Sequence, residues 1–194
     1  MARCKREVSK SGYYHVMLRG NEKKNIFLDD EDRLRFLEIL GEKKIDKRFG
    51  LHSYCLMDNH VHLLISEGTE KIPRVMKRIA VSFVYYFNKK YKRVGHLFQD
   101  RYKSEPVEDD SYLLLLARYI EKNPVKAGIV QRPGFYKWSS YNAYATGKGC
   151  MSEILDKEII LSMFSEDAEK ARLSFKKYVN EKGEEEFIDM QESV

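Results

Sequence analysis

The amino-acid sequence predicts an α+β fold, a ferredoxin-like split βαβ sandwich with helices on one face of an antiparallel sheet, followed by a C-terminal helical extension. The first observation behind this prediction is the order of the elements, which is β-α-β-β-α-β and then a further helix. The second is the dipeptide Asp58-Asn59, which separates two apolar segments by the two-residue spacing of a hairpin turn.

Each element depends on its own pattern of side chains. Aromatic and β-branched runs between turn-forming residues predict strands, and apolar residues at a spacing of three to four predict helices. In chain order we expect a strand over 12–19, a helix over 29–48, strands over 51–57 and 60–66, a helix over 72–91, strand-like segments at 97–98 and 102–107, and a helix over 112–123. Pro124 is expected to interrupt this last helix, because proline lacks a backbone N–H.

The sequence pattern changes near residue 149, where the strand patterns end and only helical patterns follow. This change predicts a main domain and a C-terminal extension. Residues 1–149 hold all the strands and form the main domain, and Gly147-Lys148-Gly149 is the predicted linker. Residues 150–194 form a helical extension, with helical patterns over 152–181 and an acidic last dozen residues that we expect to be frayed.

Composition and charge narrow the class of protein. Residues 1–103 carry ten more basic than acidic side chains, which is typical of a polyanion binder, although many soluble domains of similar charge bind no nucleic acid. No apolar run approaches the roughly 18 residues of a membrane span, and the N-terminus shows no apolar signal segment. Three cysteines without CxxC spacing indicate reduced thiols. We therefore expect a cytoplasmic protein with no membrane partner.

The segment that begins at the hairpin carries the first candidate site. His60 and His62 are two residues apart on a predicted strand, so their side chains project from the same face. Two neighbouring imidazoles form half of a divalent-metal site. The simpler interpretation, which fits most His-x-His sequences, is two polar residues on a half-exposed strand.

The helix that follows the last strand offers the remaining chemistry. Tyr119 and Asn123 are four residues apart and share one helical face. A tyrosine can supply a phenolate nucleophile and an asparagine a hard oxygen ligand, a set that suits Mg²⁺ or Mn²⁺ shared with a phosphate oxygen and also admits other borderline metals. Taken singly, each has a simpler interpretation, because the chain has 13 tyrosines and asparagine before proline commonly marks a helix end.

Four longer runs carry a resemblance to a known family. They are YHVMLRGN at 14–21, MDNHVHLLI at 57–65, GHLFQDRYKS at 95–104 and YLLLLARYIEKNPVKAGIV at 112–130. Over about residues 8–145 the chain closely resembles the single-tyrosine HUH transposases, and within them the REP-associated tyrosine transposases. Asp58 departs from the family, which usually has proline there, but a turn accepts either residue.

The resemblance implies a role for each candidate residue. His60 and His62 match the paired histidines of the HUH motif, Tyr119 matches the catalytic tyrosine, and Asn123 matches the polar residue that completes the metal site. These residues imply an HUH-type DNA transposase, a metal-dependent endonuclease and strand transferase that cuts and rejoins single-stranded DNA through a 5′-phosphotyrosine intermediate. Its cofactor would be Mg²⁺ or Mn²⁺, and residues 1–149 would be the HUH domain.

Relatives act on DNA that folds into a hairpin beside a short single-stranded segment, so the resemblance also implies residues that contact phosphates. The predicted DNA-binding residues are Arg19, Asn21, Lys23, Lys24, Arg74, Lys77, Arg78, Arg101 and Lys103. His15 and His96 are interpreted as structural histidines, with a position near the site as the alternative for both, and His52 as a residue on a strand surface. A monomer and a homodimer remain equally open.

Three other functions are less well matched by the sequence. A relaxase-type HUH nuclease would carry a second adjacent catalytic tyrosine. A domesticated protein that binds DNA hairpins without cutting them would need none of His60, His62, Tyr119 and Asn123, all of which are present. A structural zinc protein would need a closed set of four ligands, and no Cys or His has the spacing to complete one.

Overall fold

The computed structural model describes residues 6–181 and confirms the predicted fold class. Four strands form one antiparallel sheet: β1 (Tyr13–Arg19), β2 (Phe49–Met57), β3 (His60–Glu67) and β4 (Lys103–Val107). Their order across the sheet is β2-β3-β1-β4. The strand that carries the two histidines is therefore an interior strand.

Within residues 6–181, six α-helices accompany the sheet. They are α1 (Asp30–Lys44), α2 (Ile72–Lys90), α3 (Asp110–Lys126), α4 (Tyr141–Thr146), α5 (Glu158–Ser162) and α6 (Ala168–Asn180). The first two helices complete the β-α-β-β-α-β unit, and α3 follows β4. No helix within residues 6–181 combines the length and apolar composition needed to cross a membrane.

Local sequence signals account for where the elements begin. Helix α1 begins with a capping box, in which the Asp29 carboxylate accepts from the backbone N–H of Asp32 at 2.9 Å and the Asp32 side chain bonds the Asp29 N–H. Asp109 caps α3 in the same way, through the N–H of Tyr112 at 2.8 Å. The hairpin between β2 and β3 turns at Asp58-Asn59, and Met57 pairs with His60 across it.

The two faces of the sheet pack differently because side chains alternate along each strand. Val16 on β1 and Leu63 on β3 point to one face and are fully buried. That face is closed by an aromatic cluster of Phe27, Phe36 on α1 and Phe83 on α2, whose ring centroids lie 5.1–5.6 Å apart. Helix α3 packs on the other face, which carries the histidines.

Two predictions near α3 are wrong. Pro124 does not interrupt the helix, which continues to Lys126. The proline falls in the last turn, so its missing N–H removes a single hydrogen bond, and the helix end tolerates this loss. The pair Leu97-Phe98 forms no strand, because its pairing with the chain just after β1 is limited to one antiparallel bridge, between Phe98 and Gly20.

The C-terminal extension packs against the main domain as far as it is described. Phe175 on α6 stacks on Tyr144 of α4, with ring centroids 4.6 Å apart. The Asp156 carboxylate accepts from the backbone N–H of Leu51 at 2.8 Å, and its carbonyl bonds the His52 ring at 3.1 Å. His52 is therefore buried, and its interpretation as a strand-surface residue is wrong. The predicted frayed tail falls mostly on 182–194, outside the described residues.

The outer strands of the sheet are also occupied or interrupted. Along β2, the N–H of Leu56 donates to the carbonyl of Trp138 at 2.9 Å, and the N–H of Ser140 donates to the carbonyl of Tyr54 at 3.0 Å. On the opposite side, β4 contains Pro106. The chain thus covers one edge with its own later residues and places a proline in the other.

Candidate active site

The histidine face of the sheet brings the predicted ligands together. His60 and His62 lie on the same face of β3, with ring centroids 4.9 Å apart and ring planes nearly perpendicular. His62 is buried in the middle of the sheet opposite Met17, whereas His60 is half-buried at the hairpin end opposite Arg19. The strand therefore holds both imidazoles on a rigid element.

Helix α3 places Tyr119 directly on this pair. The ring of Tyr119 meets the ring of His62 edge-on, with centroids 5.6 Å apart, and only 3% of the tyrosine is exposed. The ammonium group of Lys126, two turns later on the same helix, lies 4.7 Å from the centre of the Tyr119 ring. The predicted nucleophile and the predicted ligands thus share one site.

Asn123 lies one helical turn after Tyr119, as the spacing predicts, but its amide is turned back along the helix. Its Nδ2 donates to the backbone carbonyl of Tyr119 at 3.0 Å. Among the described residues, no hydrogen bond joins Asn123 to His60 or His62. The structure therefore places this amide beside the tyrosine without linking it to the histidines.

Two residues that the sequence analysis did not assign to the site also lie in it. His15 on β1 approaches His62, with Nε2 of His15 and Nδ1 of His62 3.0 Å apart. The other ring nitrogen of His15 lies 3.9 Å from a carboxylate oxygen of Glu105, which is opposite His15 on β4. The pairing register between strands would reveal this row, but one sequence alone does not give the register.

Electrostatics keep the buried imidazole neutral. Burial holds the pKa of His62 well below its ordinary value, and the neighbouring His15, His60 and Arg19 lower it further. The pKa of Glu105 is lowered by the neighbouring His15, whose Nδ1 lies 3.9 Å from the carboxylate, and by a hydrogen bond from the Tyr112 hydroxyl.

The donor set fits a divalent cation. His60 and His62 each engage a neighbour through Nδ1, so a cation would have to meet their Nε2 atoms. Within residues 6–181 no three His, Cys, Asp or Glu side chains group as metal ligands, so a third protein donor would have to be of another type, such as the Asn123 amide oxygen. Two imidazoles and an amide oxygen leave coordination positions for a phosphate oxygen.

One group of the predicted DNA-binding residues, formed by Arg19 and by the turn that follows β1, lies at the same end of the sheet as His60. The turn after β1 meets the hairpin directly, because the N–H of Gly20 donates to the Asn59 carbonyl at 2.8 Å. Arg19 acts electrostatically on His62, and its buried Nε has no hydrogen-bond partner among the described residues. The other members of this group, Asn21, Lys23 and Lys24, occupy the turn that follows β1.

The remaining basic residues separate into two places. Arg74 and Arg78 on α2 both pair with Glu70, at 3.8 and 3.1 Å, and Lys77 lies between them on the exposed surface. These three are in the first half of α2, on the apolar face of the sheet and away from the histidines.

Two basic residues lie at the start of β4. Lys103 is opposite Met17, which is itself opposite His62, so its side chain belongs to the histidine face. Arg101 lies beside the phenol of Tyr102. The structure therefore groups Lys103 with the site, but not Arg101 or the residues of α2.

Comparisons with known proteins agree with this architecture. The family model described as IS200-like transposase matches residues 8–123, which include both histidines and Tyr119. A solved structure of a REP-associated tyrosine transposase bound to a REP hairpin is similar to the chain, with a TM-score of 0.61 and 19% identity over 76% of this chain and 87% of that chain. At this identity the similarity shows a shared fold.

A second solved structure is more distant. It is a crystal structure of a protein from Deinococcus radiodurans described as a transposase, with a TM-score of 0.43 and 21% identity over 63% of this chain and 97% of that chain. A TM-score this low supports no conclusion. No curated protein matches the chain.

Proposed function

The chain belongs to the IS200-like transposase family, and from this membership we propose that it cuts and rejoins single-stranded DNA with Tyr119 as the nucleophile. The observation that carries the proposal is the edge-on contact between the Tyr119 and His62 rings, with centroids 5.6 Å apart. This contact sets Tyr119 of α3 against the paired histidines. A tyrosine that served packing alone would need no such neighbours.

The chemistry is a transesterification in which bonds are exchanged. The Tyr119 oxygen attacks the phosphorus in line, an O–P bond forms, and the bond from phosphorus to the 3′ oxygen of the preceding nucleotide breaks. The phenol releases its proton, the leaving 3′ oxygen gains one, and a 5′-phosphotyrosine remains. Attack by another 3′-hydroxyl reverses the exchange, so the strands rejoin without a nucleotide cofactor.

His60, His62 and Asn123 are the proposed ligands of Mg²⁺ or Mn²⁺. When bound, such a cation would polarise the phosphodiester and reduce its charge. The residues of the chain contribute the rest: β3 fixes the imidazoles, α3 holds the phenol, and Lys126 brings a positive charge to the Tyr119 ring. The phenol of an ordinary tyrosine, with a pKa of about 10, is neutral at pH 7, so the proposed attack requires positive charge close to the Tyr119 oxygen.

DNA that forms a hairpin is the proposed substrate, as in the REP-associated branch of the family. The hairpin-bound relative of the same fold supports this choice. So does the basic turn after β1, where Arg19, Lys23 and Lys24 lie beside His60 at the end of the sheet. Phosphates held there would lead a strand toward the histidine face.

Covalent capture tests the proposal directly. Labelled single-stranded hairpin oligonucleotides, taken from the DNA that flanks this gene, would be incubated with the chain and Mg²⁺ or Mn²⁺. We expect a nick and an adduct that survives denaturing electrophoresis. Both should be lost in Tyr119→Phe, which keeps the ring contact with His62 but removes the attacking oxygen.

Two further variants separate the outcomes. His60→Ala should remove cleavage while leaving hairpin binding intact, because it deletes a proposed metal ligand. Tyr85→Phe, an exposed tyrosine on α2, serves as the control and should still form the adduct. A tight gel shift without cleavage under either metal would support a hairpin-binding protein instead, and an adduct in Tyr119→Phe would identify another nucleophile.

A further inference from the structure

We infer that the chain after β1 and the hairpin turn before His60 form one rigid block, in which Asn59 positions the basic turn relative to His60. The block consists of residues 20–27, here called the wrap, and of the hairpin turn Asp58-Asn59. Its purpose rests on the proposed function, since it would fix the distance along a bound strand between a phosphate held by the basic turn and the phosphodiester that is cut. Its existence follows from contacts within the chain.

The two ends of the wrap are tied to the same hairpin turn by backbone hydrogen bonds. At its start, the N–H of Gly20 donates to the carbonyl of Asn59 at 2.8 Å. At its end, the N–H groups of Ile26 and Phe27 both donate to the carbonyl of Asp58, at 2.8 and 3.1 Å. Ile26 and Phe27 are buried, so water does not compete for these last two bonds.

The side chain of Asn59 ties the middle of the wrap to the hairpin turn as well. Its Nδ2 donates to the backbone carbonyl of Lys23 at 3.1 Å. A carbonyl only accepts, so this bond identifies the nitrogen end of the amide. The other end, Oδ1, lies 2.6 Å from Nδ1 of His60. One side chain therefore contacts both the basic turn and the first histidine of the site, whichever nitrogen of the imidazole carries the proton.

The basic turn within the wrap has a conformation that is unfavourable for its residues. Glu22 and Lys23 have φ angles of 54° and 58°, in the left-handed region that residues other than glycine seldom occupy. The turn is also tight, because a Cβ atom on Gly20 would lie 2.0 Å from the carbonyl oxygen of Lys24. Such strain persists where the surrounding structure fixes the backbone. The attachments of the wrap to the hairpin turn supply this constraint.

Helix α1 also holds the hairpin turn. The guanidinium group of Arg33 pairs with the Asp58 carboxylate, and its Nη1 donates to the Asp29 carbonyl at 3.2 Å. The Arg33 side chain is only 11% exposed. Its guanidinium carbon lies 5.5 and 5.9 Å from the ring centres of Phe27 and Trp138. Packing thus fixes the direction of Arg33, which joins the block to the helical layer.

A rigid block would make the choice of the cut bond a property of the protein. Lys23 and Lys24 are on the wrap, and His60 directly follows the hairpin turn. A phosphate held by the lysines and a phosphodiester held at His60 would stay at a constant separation. Small displacements of reacting groups have large effects on rate, so one bond of the strand would be cut in preference to its neighbours.

Hydrogen exchange of the full chain tests the block without metal or DNA. Asn59→Ala removes the amide and keeps the backbone carbonyl. We expect the backbone amides of Lys23 and Lys24 to exchange about two- to tenfold faster in this variant, the effect of losing one hydrogen bond. The amides of Ile26 and Phe27, which bond the backbone of the hairpin turn, should stay protected. Unchanged exchange at both lysines would overturn the role of Asn59.

The position of the nick tests the purpose of the block. On a labelled hairpin oligonucleotide with Mn²⁺, the parent chain should cut one phosphodiester, whereas Asn59→Ala should also cut its neighbours. Glu22→Gly should spread the cut in the same way, because glycine gives the turn more conformational freedom while His60 and both lysines stay in place. Glu22→Gln is the matched control, since it removes the same charge without adding that freedom, and it should cut only the parent bond.

The outcomes separate positioning from folding and from the proposed function. A residue that only stabilised the fold would lower the amount of cleavage without changing which bond is cut. A single cut position in both Asn59→Ala and Glu22→Gly therefore overturns the inference. A chain with the expected change in hydrogen exchange but no adduct with DNA would contradict the proposed function and still support the block.

Discussion

The two faces of the sheet differ in almost every respect, although the same strands form both. On one face Val16 and Leu63 are closed over by phenylalanines of the α1 and α2 layer. On the other, His15 and His62 alternate with those apolar residues and meet Tyr119. Because successive side chains of β3 point to opposite faces, this one interior strand contributes both to the hydrophobic core and to the candidate active site.

The comparison shows where stability and chemistry reside. Burying a polar group is unfavourable unless it is hydrogen-bonded. The buried histidines meet this condition through neighbours on adjacent strands, whereas the aromatic cluster needs none. We therefore expect substitutions on the apolar face to change the free energy of unfolding and substitutions on the histidine face to change reactivity.

The largest expected effect on stability comes from the apolar face. Phe83 is fully buried and its ring contacts Phe27 and Phe36 at 5.4 and 5.1 Å. Phe83→Ala should lower the free energy of unfolding by about 3–5 kcal/mol, measured by urea denaturation, because it removes apolar contacts and leaves a cavity. Folded Phe83→Ala should still form the Tyr119 adduct. If Phe83→Ala lost the adduct while its stability was unchanged, the result would contradict the assignment of stability to the apolar face and reactivity to the histidine face.

The second expected effect is a pH dependence of stability that comes from Glu121 of α3, on the histidine side of the sheet. Glu121 is fully buried, accepts from the Ser53 hydroxyl at 2.9 Å and also contacts the Ser140 hydroxyl. Burial raises its pKa to about 7. Because the pKa of Glu121 is higher in the folded chain than in the unfolded chain, its ionisation favours unfolding. The contribution of Glu121 to the free energy of unfolding is therefore greatest below pH 4.5 and falls as the pH rises to about 7.

The expected loss of stability over that range is up to ~3 kcal/mol for Glu121. Glu121→Gln should remove this dependence, so the difference in unfolding free energy between the variant and the parent chain should grow from pH 4.5 to 7 and then stay level. Chemical denaturation at a series of pH values measures it. Parallel pH profiles for the two chains would mean that Glu121 ionises normally.

The smallest expected effect concerns DNA affinity and separates the basic residues of the two faces. Lys103 is on the histidine face, whereas Arg74 is on α2 and pairs with Glu70 at 3.8 Å. Lys103→Ala should weaken hairpin binding several-fold and reduce the salt dependence by about one phosphate contact, whereas Arg74→Ala should change affinity less than twofold. Titrations at several salt concentrations measure both, and equal losses would extend the DNA surface to α2.

Much of the fold could be predicted because the signals are local. The order of elements and the hairpin turn at Asp58-Asn59 follow from side-chain patterns within a few residues. The errors come from tertiary context. Pro124 is tolerated by a helix end, and His52 is buried by Asp156, more than a hundred residues later in the chain.

The site was predictable in part for the same reason. His60, His62 and Tyr119 belong to motifs whose spacing is visible, and the structure brings them together. The placement of His15 and Glu105 depends on which residues are opposite each other in β1, β3 and β4, and pairing register is not contained in any one of these strands. The metal and the role of Asn123 stay predictions.

The outer strands described above also bear on how copies of this chain can meet. A strand with unsatisfied N–H and C=O groups invites a neighbouring molecule to extend the sheet. Here residues 138–140 already bond β2, and Pro106 offers no N–H on β4. Association through a shared continuous sheet is disfavoured at both margins, so we expect a homodimer to form through side-chain surfaces instead.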